Sequence, residues 1–224
     1  FFLRSHPPGG DGAAVFERWS SASGIQSVAT HASFPGELRG LSVPAGTVGR
    51  AAVTLPRSLC LDDGGPPPPA SFCTAPAWAA ASWDVRLALQ LLYQCSLGTA
   101  SDRYGYCALL AGPEALPLDL TAGGTVPPSA APDALRNWKD GDPAASELAA
   151  SPAGREILAA RTAQTDAWAN AHAALQTCVP YGQFAWAMEA VNSRAFRGDF
   201  GAAGVDGKAV SLPVVVAQAC VAAA

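Results

Sequence analysis

Hydrophobic positions recur at helical spacing most clearly in two stretches of the chain. In Phe184 to Phe196, FAWAMEAVNSRAF, the residues Phe184, Ala187, Met188, Val191 and Ala195 fall at i, i+3, i+4, i+7 and i+11, one face of a 3.6-residue helix. In SWDVRLALQLLYQC, Trp83, Leu87 and Leu91 stand four apart behind Ser82 as a cap, and Arg86, Gln90 and Gln94 form the opposite stripe. This pattern predicts that Trp83, Leu87, Leu91, Phe184, Met188 and Val191 are buried and that the two helices share one core. A shorter helix is expected over DGAAVFERWSSASGI, capped by Asp11, with Phe16 and Trp19 on its apolar side and Gly24 as its stop.

From Ile25 to Leu61 the pattern changes to short β-type runs separated by turn residues: IQSVATHA, ELRGLSVPA, GTVGRAAVTLP and LCL. They predict a small, strongly bent antiparallel unit. DDGGPPPPASF is read as a loop, because four successive prolines neither continue a helix nor donate to a ladder. GTASDRYGYCALL is read as a turn leading into the proline-rich connection PEALPLDLTAGGTVPPSAAP. DALRNWKDGDPAASELAASPAGREILAARTAQTDAWANAHAALQTC is helical, with joints at Asp142-Pro143 and Ser151-Pro152, where a capping side chain precedes a first-turn proline, and it closes at Val179-Pro180.

Half of the 224 residues are hydrophobic and 14% are charged, so the chain can bury a sizeable core and is not disordered by composition. Net charge is −4 and there is no basic stripe to neutralise phosphates, which argues against a nucleic-acid partner. Cys60, Cys73, Cys95, Cys107, Cys178 and Cys220 are scattered, with no C-x-x-C pair and no histidine at metal-ligand spacing. They read as buried reduced thiols, which favours a reducing compartment such as plastid stroma or cytoplasm. The opening FFLRSHPPGGDG has no initiator methionine and no signal-type apolar run, and is expected to be a processed or cut end. The sixteen residues AVSLPVVVAQACVAAA fall short of the ~20 that a spanning helix needs. They are expected to be a core strand or the start of a span, with a membrane location disfavoured.

Familiar catalytic patterns fail on spacing. GAAGVDGKAV has Ala202 where a phosphate-binding loop requires glycine and Ala209 where it requires Ser or Thr. There is no G-x-G-x-x-G after a strand and no G-x-S-x-G elbow. His6, His31 and His172 lie far apart, and His172, four residues after Trp168 on one helix face, reads as a core or boundary histidine. Arg194 has two local readings. As a cation in the last helical turn it complements the helix dipole, for about 0.3–1 kcal/mol; alternatively it is aimed at an anionic ligand.

Taken in order, FERW, ELRGLSVPAGTVGRAAVTLP leading to LCL, WDVRLALQLLYQCSLGTASDRYGYCALL, the proline-rich break before LRNW and SELAASP, the long helical stretch and FAWAMEAVNSRAF resemble the SET-domain protein methyltransferases of the Rubisco large-subunit lysine methyltransferase type. The resemblance covers roughly residues 13 to 197. Its most specific parts are WAMEAVNSRAF and the RGL that follows a bent strand. It implies an α+β fold in which a small bent antiparallel β unit, a partial SET core, carries a large, mainly α-helical insert. The implied divisions are a disordered segment at 1–12, the first SET-like part at 13–62, a Pro-rich loop at 63–77, the helical insert at 78–180, and the motif helix with an apolar segment at 181–224.

The function so implied is transfer of a methyl group from S-adenosylmethionine to a lysine, or in some relatives a histidine, of a protein substrate. The resemblance places Glu37, Leu38, Arg39 and Gly40 in a loop against the cofactor, with Gly40 permitting close approach or, alternatively, only a β-bulge. It places Arg194 at the cofactor and substrate pocket, where its guanidinium would meet the methionine carboxylate bidentately, and Phe196 in the lining of that pocket. The family's next segment resembles V-P-x-x-D-x-x-N-H, followed later by a catalytic tyrosine. Here Leu212-Pro213 begins alike, no Asp, Asn or His follows, and Tyr93, Tyr104, Tyr106 and Tyr181 all precede Arg194. No catalytic residue and no metal are therefore assigned, and the chain as given is expected to be incomplete or inactive, binding the cofactor weakly or not at all. The alternative is a non-catalytic binding or scaffold protein derived from such an enzyme, possessing or lacking a membrane attachment.

Overall fold

Two proline-led joints set the helical half of the chain. Asp142 accepts a hydrogen bond from the Ala144 amide (3.1 Å) and Ser151 Oγ accepts one from the Gly154 amide (2.9 Å), so each satisfies an otherwise orphaned first-turn donor. The structure, a computed structural model, describes residues 12–34, 38–44, 51–128, 141–175, 177–195 and 209–213. In chain order its elements are α1 (Gly12–Ala22), β1 (Gln26–Ser27), β2 (Thr30–Phe34), β3 (Leu38–Ser42), β4 (Ala51–Pro56), α2 (Ala75–Ala80), α3 (Trp83–Ser96), α4 (Tyr104–Ala111), α5 (Pro143–Ala149), α6 (Pro152–Leu175), α7 (Tyr181–Arg194) and β5 (Ala209–Pro213). The class is α+β. The described residues divide into two compact units, one drawn from Phe1–Asp62, Leu97–Pro117 and Arg194–Ala224 and the other from Asp63–Ser96 and Leu118–Ser193.

The first unit contains both sheets. β1, β4 and β5 form an antiparallel sheet with β4 in the middle, and β2 and β3 form a separate antiparallel pair. The run IQSVATHA, expected as one strand, is two: Ser27 Oγ donates to the Ala29 carbonyl (2.9 Å) and accepts from the Ala29 amide (3.1 Å). A side chain that binds its own backbone two residues on takes those groups from a ladder, and the chain changes sheet there. LCL is not a strand either. Arg57–Leu59 is a 3-10 turn whose carbonyls are gathered by one guanidinium, Arg103 Nε donating to Leu59 (3.1 Å) and Nη2 to Ser58 (2.6 Å) and Cys60 (3.0 Å).

GTASDRYGYCALL, expected as a turn, contains α4, which packs on α1. Gly105, Cys107, Ala108, Leu110 and Ala111 are buried, so the helix has little polar face and its period is hidden. The contact with α1 is close. A Cβ at Gly105 would run into the Trp19 side chain, while Trp19 Nε1 donates to the Asp102 carbonyl (2.8 Å) just before α4. Gly→Ala inside a helix ordinarily stabilises by about 1 kcal/mol. Gly105→Ala is instead expected to destabilise the first unit by about 1–3 kcal/mol through overpacking, read as a lowered thermal midpoint; a raised midpoint would show that α1 and α4 do not meet at Trp19.

The second unit is helical. Its core takes Val85, Ala88, Leu89, Leu91, Leu92 and Cys95 from α3 and Phe184, Trp186, Ala187, Met188, Ala190 and Val191 from α7. The expected six residues are only partly the right ones. Leu91, Phe184, Met188 and Val191 are buried, whereas Trp83 and Leu87 are half-buried and Gln90, expected on the polar stripe, is buried. The buried face of α3 is therefore centred on Val85, Leu89 and Leu92, and α7 is enclosed almost all round from Gln183 to Val191, not along one stripe. Ala195 is exposed and lies past the end of α7.

A helix not foreseen, α2, begins inside the expected 63–77 loop. Thr74 caps it, accepting from the Ala77 amide (3.4 Å), with proline in the first turn, and Arg86 closes its other end by donating to the carbonyls of Trp78 (3.2 Å) and Ala79 (3.1 Å). The helix expected over DGAAVFERWSSASGI is α1, which begins at Gly12, the last residue of the segment expected to be disordered; Asp11 lies outside the described residues. Among the described residues no helix is long and apolar enough to cross a membrane.

Candidate functional site

The residues expected to wall a cofactor are placed as follows. Leu38, Arg39 and Gly40 lie in strand β3 and not in a loop, because β3 pairs with β2 along its whole length, Phe34 opposite Leu38, Ser33 opposite Arg39 and Ala32 opposite Gly40. The register there is unbroken, so Gly40 makes no bulge. The irregularity is in β4 instead, between Ala51 and Val53 where they face Pro213 and Leu212. Glu37 and Phe196 lie outside the described residues. Arg194 is the last residue of α7, is half-buried, and groups with the described residues of the unit that contains β3.

The close of α7 accounts for most of NSR in local terms. Asn192 Nδ2 donates to the Met188 carbonyl (2.9 Å), and Ser193 Oγ donates to the carbonyls of Glu189 (2.8 Å) and Ala190 (3.2 Å). These are the i−4 and i−3 back-bonds that short polar side chains make to carbonyls of the preceding turn within a helix. Arg194 in the last turn also has the sign that complements the helix dipole.

A second polar constellation, missed in the sequence, sits in the other unit around Gln183. This side chain is 0% exposed. Its Nε2 donates to the carbonyls of Asp119 (2.7 Å) and Thr125 (3.0 Å), which fixes the amide orientation, since only the NH2 end can serve two carbonyls. The Oε1 atom is buried without a hydrogen-bond partner. The loop it holds is shaped by its own contacts: Asp119 Oδ1 accepts from the Thr121 amide (3.0 Å), and hydrogen bonding to Thr121 holds the Asp119 carboxyl below the usual range, more than burial raises it. Gly124 approaches so closely that a Cβ there would meet the Asp119 carbonyl. Trp186 Nε1 donates to the Pro128 carbonyl (3.0 Å). The one sequence signal was a glutamine at the head of an apolar helix.

His172 is the boundary residue expected. Its Nε2 lies 2.7 Å from the Val179 carbonyl, so that nitrogen carries the proton, and its ring rests against Tyr181 and Phe184 at 5.5 and 5.3 Å. Among the described residues no group of His, Cys, Asp and Glu could hold a metal ion. The thiols of Cys60, Cys73, Cys95 and Cys107 are wholly or partly buried, but Cys178 is exposed, a correction to the reading of all cysteines as buried. Cys220 lies outside the described residues. No protein-family model, curated protein or solved structure matches this chain.

Proposed function

We propose that the chain is an S-adenosylmethionine-dependent protein-lysine N-methyltransferase-like protein of the SET type, in which Arg194 holds the carboxylate of the cofactor and the segment 37–40 lies beside it. What supports the reading is the pairing of β5 with β4, Leu212 opposite Val53 and Ser211 opposite Thr54. By that pairing the chain beyond the motif helix returns to the sheet built from its first sixty residues, with the helical stretch inserted between. An insert carried by a small split β unit is the architecture that the order of the motifs implies. The cofactor would supply an electrophilic methyl group, and the protein's part is to orient a neutral lysine amine and exclude water. Arg194 contributes charge-assisted, bidentate orientation.

A second reading, a binding or scaffold protein derived from such an enzyme, is favoured by one observation: Arg194 stands in the last turn of α7, where a cation complements the helix dipole without any cofactor. Calorimetric titration with S-adenosylmethionine separates the two, using Arg194→Lys and Arg194→Ala. The methyltransferase-type reading expects saturable binding, weak and near millimolar, about −4 kcal/mol, that both substitutions abolish, because lysine lacks the planar fork. A dipole-only arginine predicts that Arg194→Lys leaves helix stability unchanged and that no cofactor heat appears in any variant. That second result would retire the cofactor assignment and leave the scaffold.

A further inference from the structure

Two of the cysteines are carried on segments that the structure ties together at adjacent residues. Thr177 Oγ1 donates to the Phe72 carbonyl (2.7 Å), and that carbonyl belongs to the peptide unit carrying the nitrogen of Cys73. Cys178 Sγ lies 3.6 Å from the Ser71 carbonyl. Residues 69–73 are turned and not extended, since the amides of Phe72 (2.8 Å) and Cys73 (3.2 Å) both donate to the Pro69 carbonyl. Ser71 and Cys73 are thus held in one tight turn against which Thr177 and Cys178 dock. Val179, next in line, is tied back through its amide to Thr177 Oγ1 (3.2 Å).

We propose that Cys178 and Cys73 form a redox pair, in which Cys178 is the peroxide-reactive thiol and Cys73 the thiol that resolves it into an intramolecular disulfide. The division of labour follows from exposure. Cys178 is exposed, whereas Cys73 is 3% exposed, and its pKa is raised by burial, so the buried thiol is the poorer first nucleophile. In the first step the Cys178 sulfur attacks hydrogen peroxide: an S–O bond forms, the O–O bond breaks, and the leaving hydroxide takes the thiol proton to become water. Sulfur is oxidised to sulfenic acid and peroxide is reduced. In the second step the Cys73 sulfur attacks Cys178: the S–S bond forms, the S–O bond breaks, and the departing hydroxide leaves as water with the Cys73 proton. The contacts of Thr177 with Phe72 (2.7 Å) and of Cys178 with Ser71 (3.6 Å) hold the two backbones together at neighbouring residues, and to form the S–S bond the Cys73 side chain would turn away from the Thr74 carbonyl it now faces (3.6 Å). The bridge would lock the α6–α7 connection to the turn that leads into α2.

The test is a non-reducing peptide map of the full chain after brief treatment with hydrogen peroxide, using chymotrypsin, because cleavage at Phe72 separates Cys73 from Cys60. The expected result is a linked peptide joining Cys73 to Cys178, lost on treatment with dithiothreitol and absent from Cys178→Ser. In Cys73→Ser, dimedone should instead trap a sulfenic acid at Cys178. Should that variant fold poorly, the wild-type map decides alone, with a reversible rise in thermal midpoint on oxidation that Cys178→Ser does not show. Cys178 driven to sulfinic acid, linked to a second chain, or left as a thiol, with no Cys73 link, would overturn the pair.

Discussion

Phe184→Ala is expected to lower the unfolding free energy of the helical unit by about 3–5 kcal/mol, the range for truncating a fully buried aromatic ring. Phe184 is 0% exposed, its amide donates to the Pro180 carbonyl (3.1 Å) at the head of α7, and its ring packs on His172 (5.3 Å). Ala187 and Met188 on the following turn are buried as well. Removing the ring therefore opens a space in a closely packed core, and the cavity that remains adds to the lost transfer energy. Leu87→Ala is the internal control. That side chain is half-buried, so its loss should cost below about 2 kcal/mol. Urea denaturation followed by tryptophan fluorescence reads both; equal effects from the two substitutions would mean that α7 is not the centre of this core.

Local signals in the sequence located most of the helices of this unit. Asp142-Pro143 and Ser151-Pro152 could be read because a cap and its donor are two or three residues apart, and nothing elsewhere in the chain alters that geometry. Thr74-Ala75-Pro76 carries the same kind of cap-and-proline signal, but it follows directly on the four prolines Pro66–Pro69, whose loop signal masks the start of α2. Periodicity failed where burial is not one-sided. α4 and α7 are enclosed on most faces, so polar residues no longer mark the solvent side, and in α3 the spacing of the half-buried Trp83 and Leu87 turned the expected face away from the one centred on Val85, Leu89 and Leu92.

The sheets were legible as short runs and not as pairings. Nothing within IQSVATHA says that Gln26–Ser27 joins β4 while Thr30–Phe34 joins β3, and the partnership of β4 with β5 spans the whole helical stretch. Such contacts are set by tertiary packing, to which strand propensity is blind. Of the expected site residues, Arg194 lies at a helix end as the helical spacing predicts, and Leu38 to Gly40 lie in a strand as the β-type run ELRGLSVPA predicts, not in the loop that the resemblance implies. The polar side chains that hold loops in place, Arg86, Arg103 and Gln183, were invisible for a common reason: each acts on backbone carbonyls, which every sequence possesses.

The strongest pH effect is expected from converting one of these clamps to an acid. In Gln183→Glu the carboxyl replaces a buried amide whose NH2 group lies 2.7 and 3.0 Å from two carbonyl oxygens. A carboxylate there would face two acceptors and give up its hydration, so burial and the missing donors both favour the protonated form and raise the folded-state pKa above the unfolded value of about 4.3. The sign follows by linkage: the folded state binds the extra proton, so the variant is at its most stable below pH ~4.3 and loses stability as pH rises toward the folded pKa. With the folded pKa at or above neutrality, the loss by pH 7 is about 1.36 kcal/mol for each of roughly 2.7 units, or about 4 kcal/mol. The protonated acid still donates to only one of the two carbonyls, which leaves a further cost of about 1–3 kcal/mol at every pH. Gln183→Leu supplies the comparison, since it removes both hydrogen bonds without a titrating group and should be destabilised by an amount that does not change between pH 4 and 7 relative to the parent. Denaturant midpoints of all three proteins at the two pH values, each taken as a difference from the parent so that the acid sensitivity of Asp119 and other shared carboxyls cancels, decide the matter. Gln183→Glu tracking the parent at both pH values would mean that Gln183 does not grip the loop from Asp119 to Thr125.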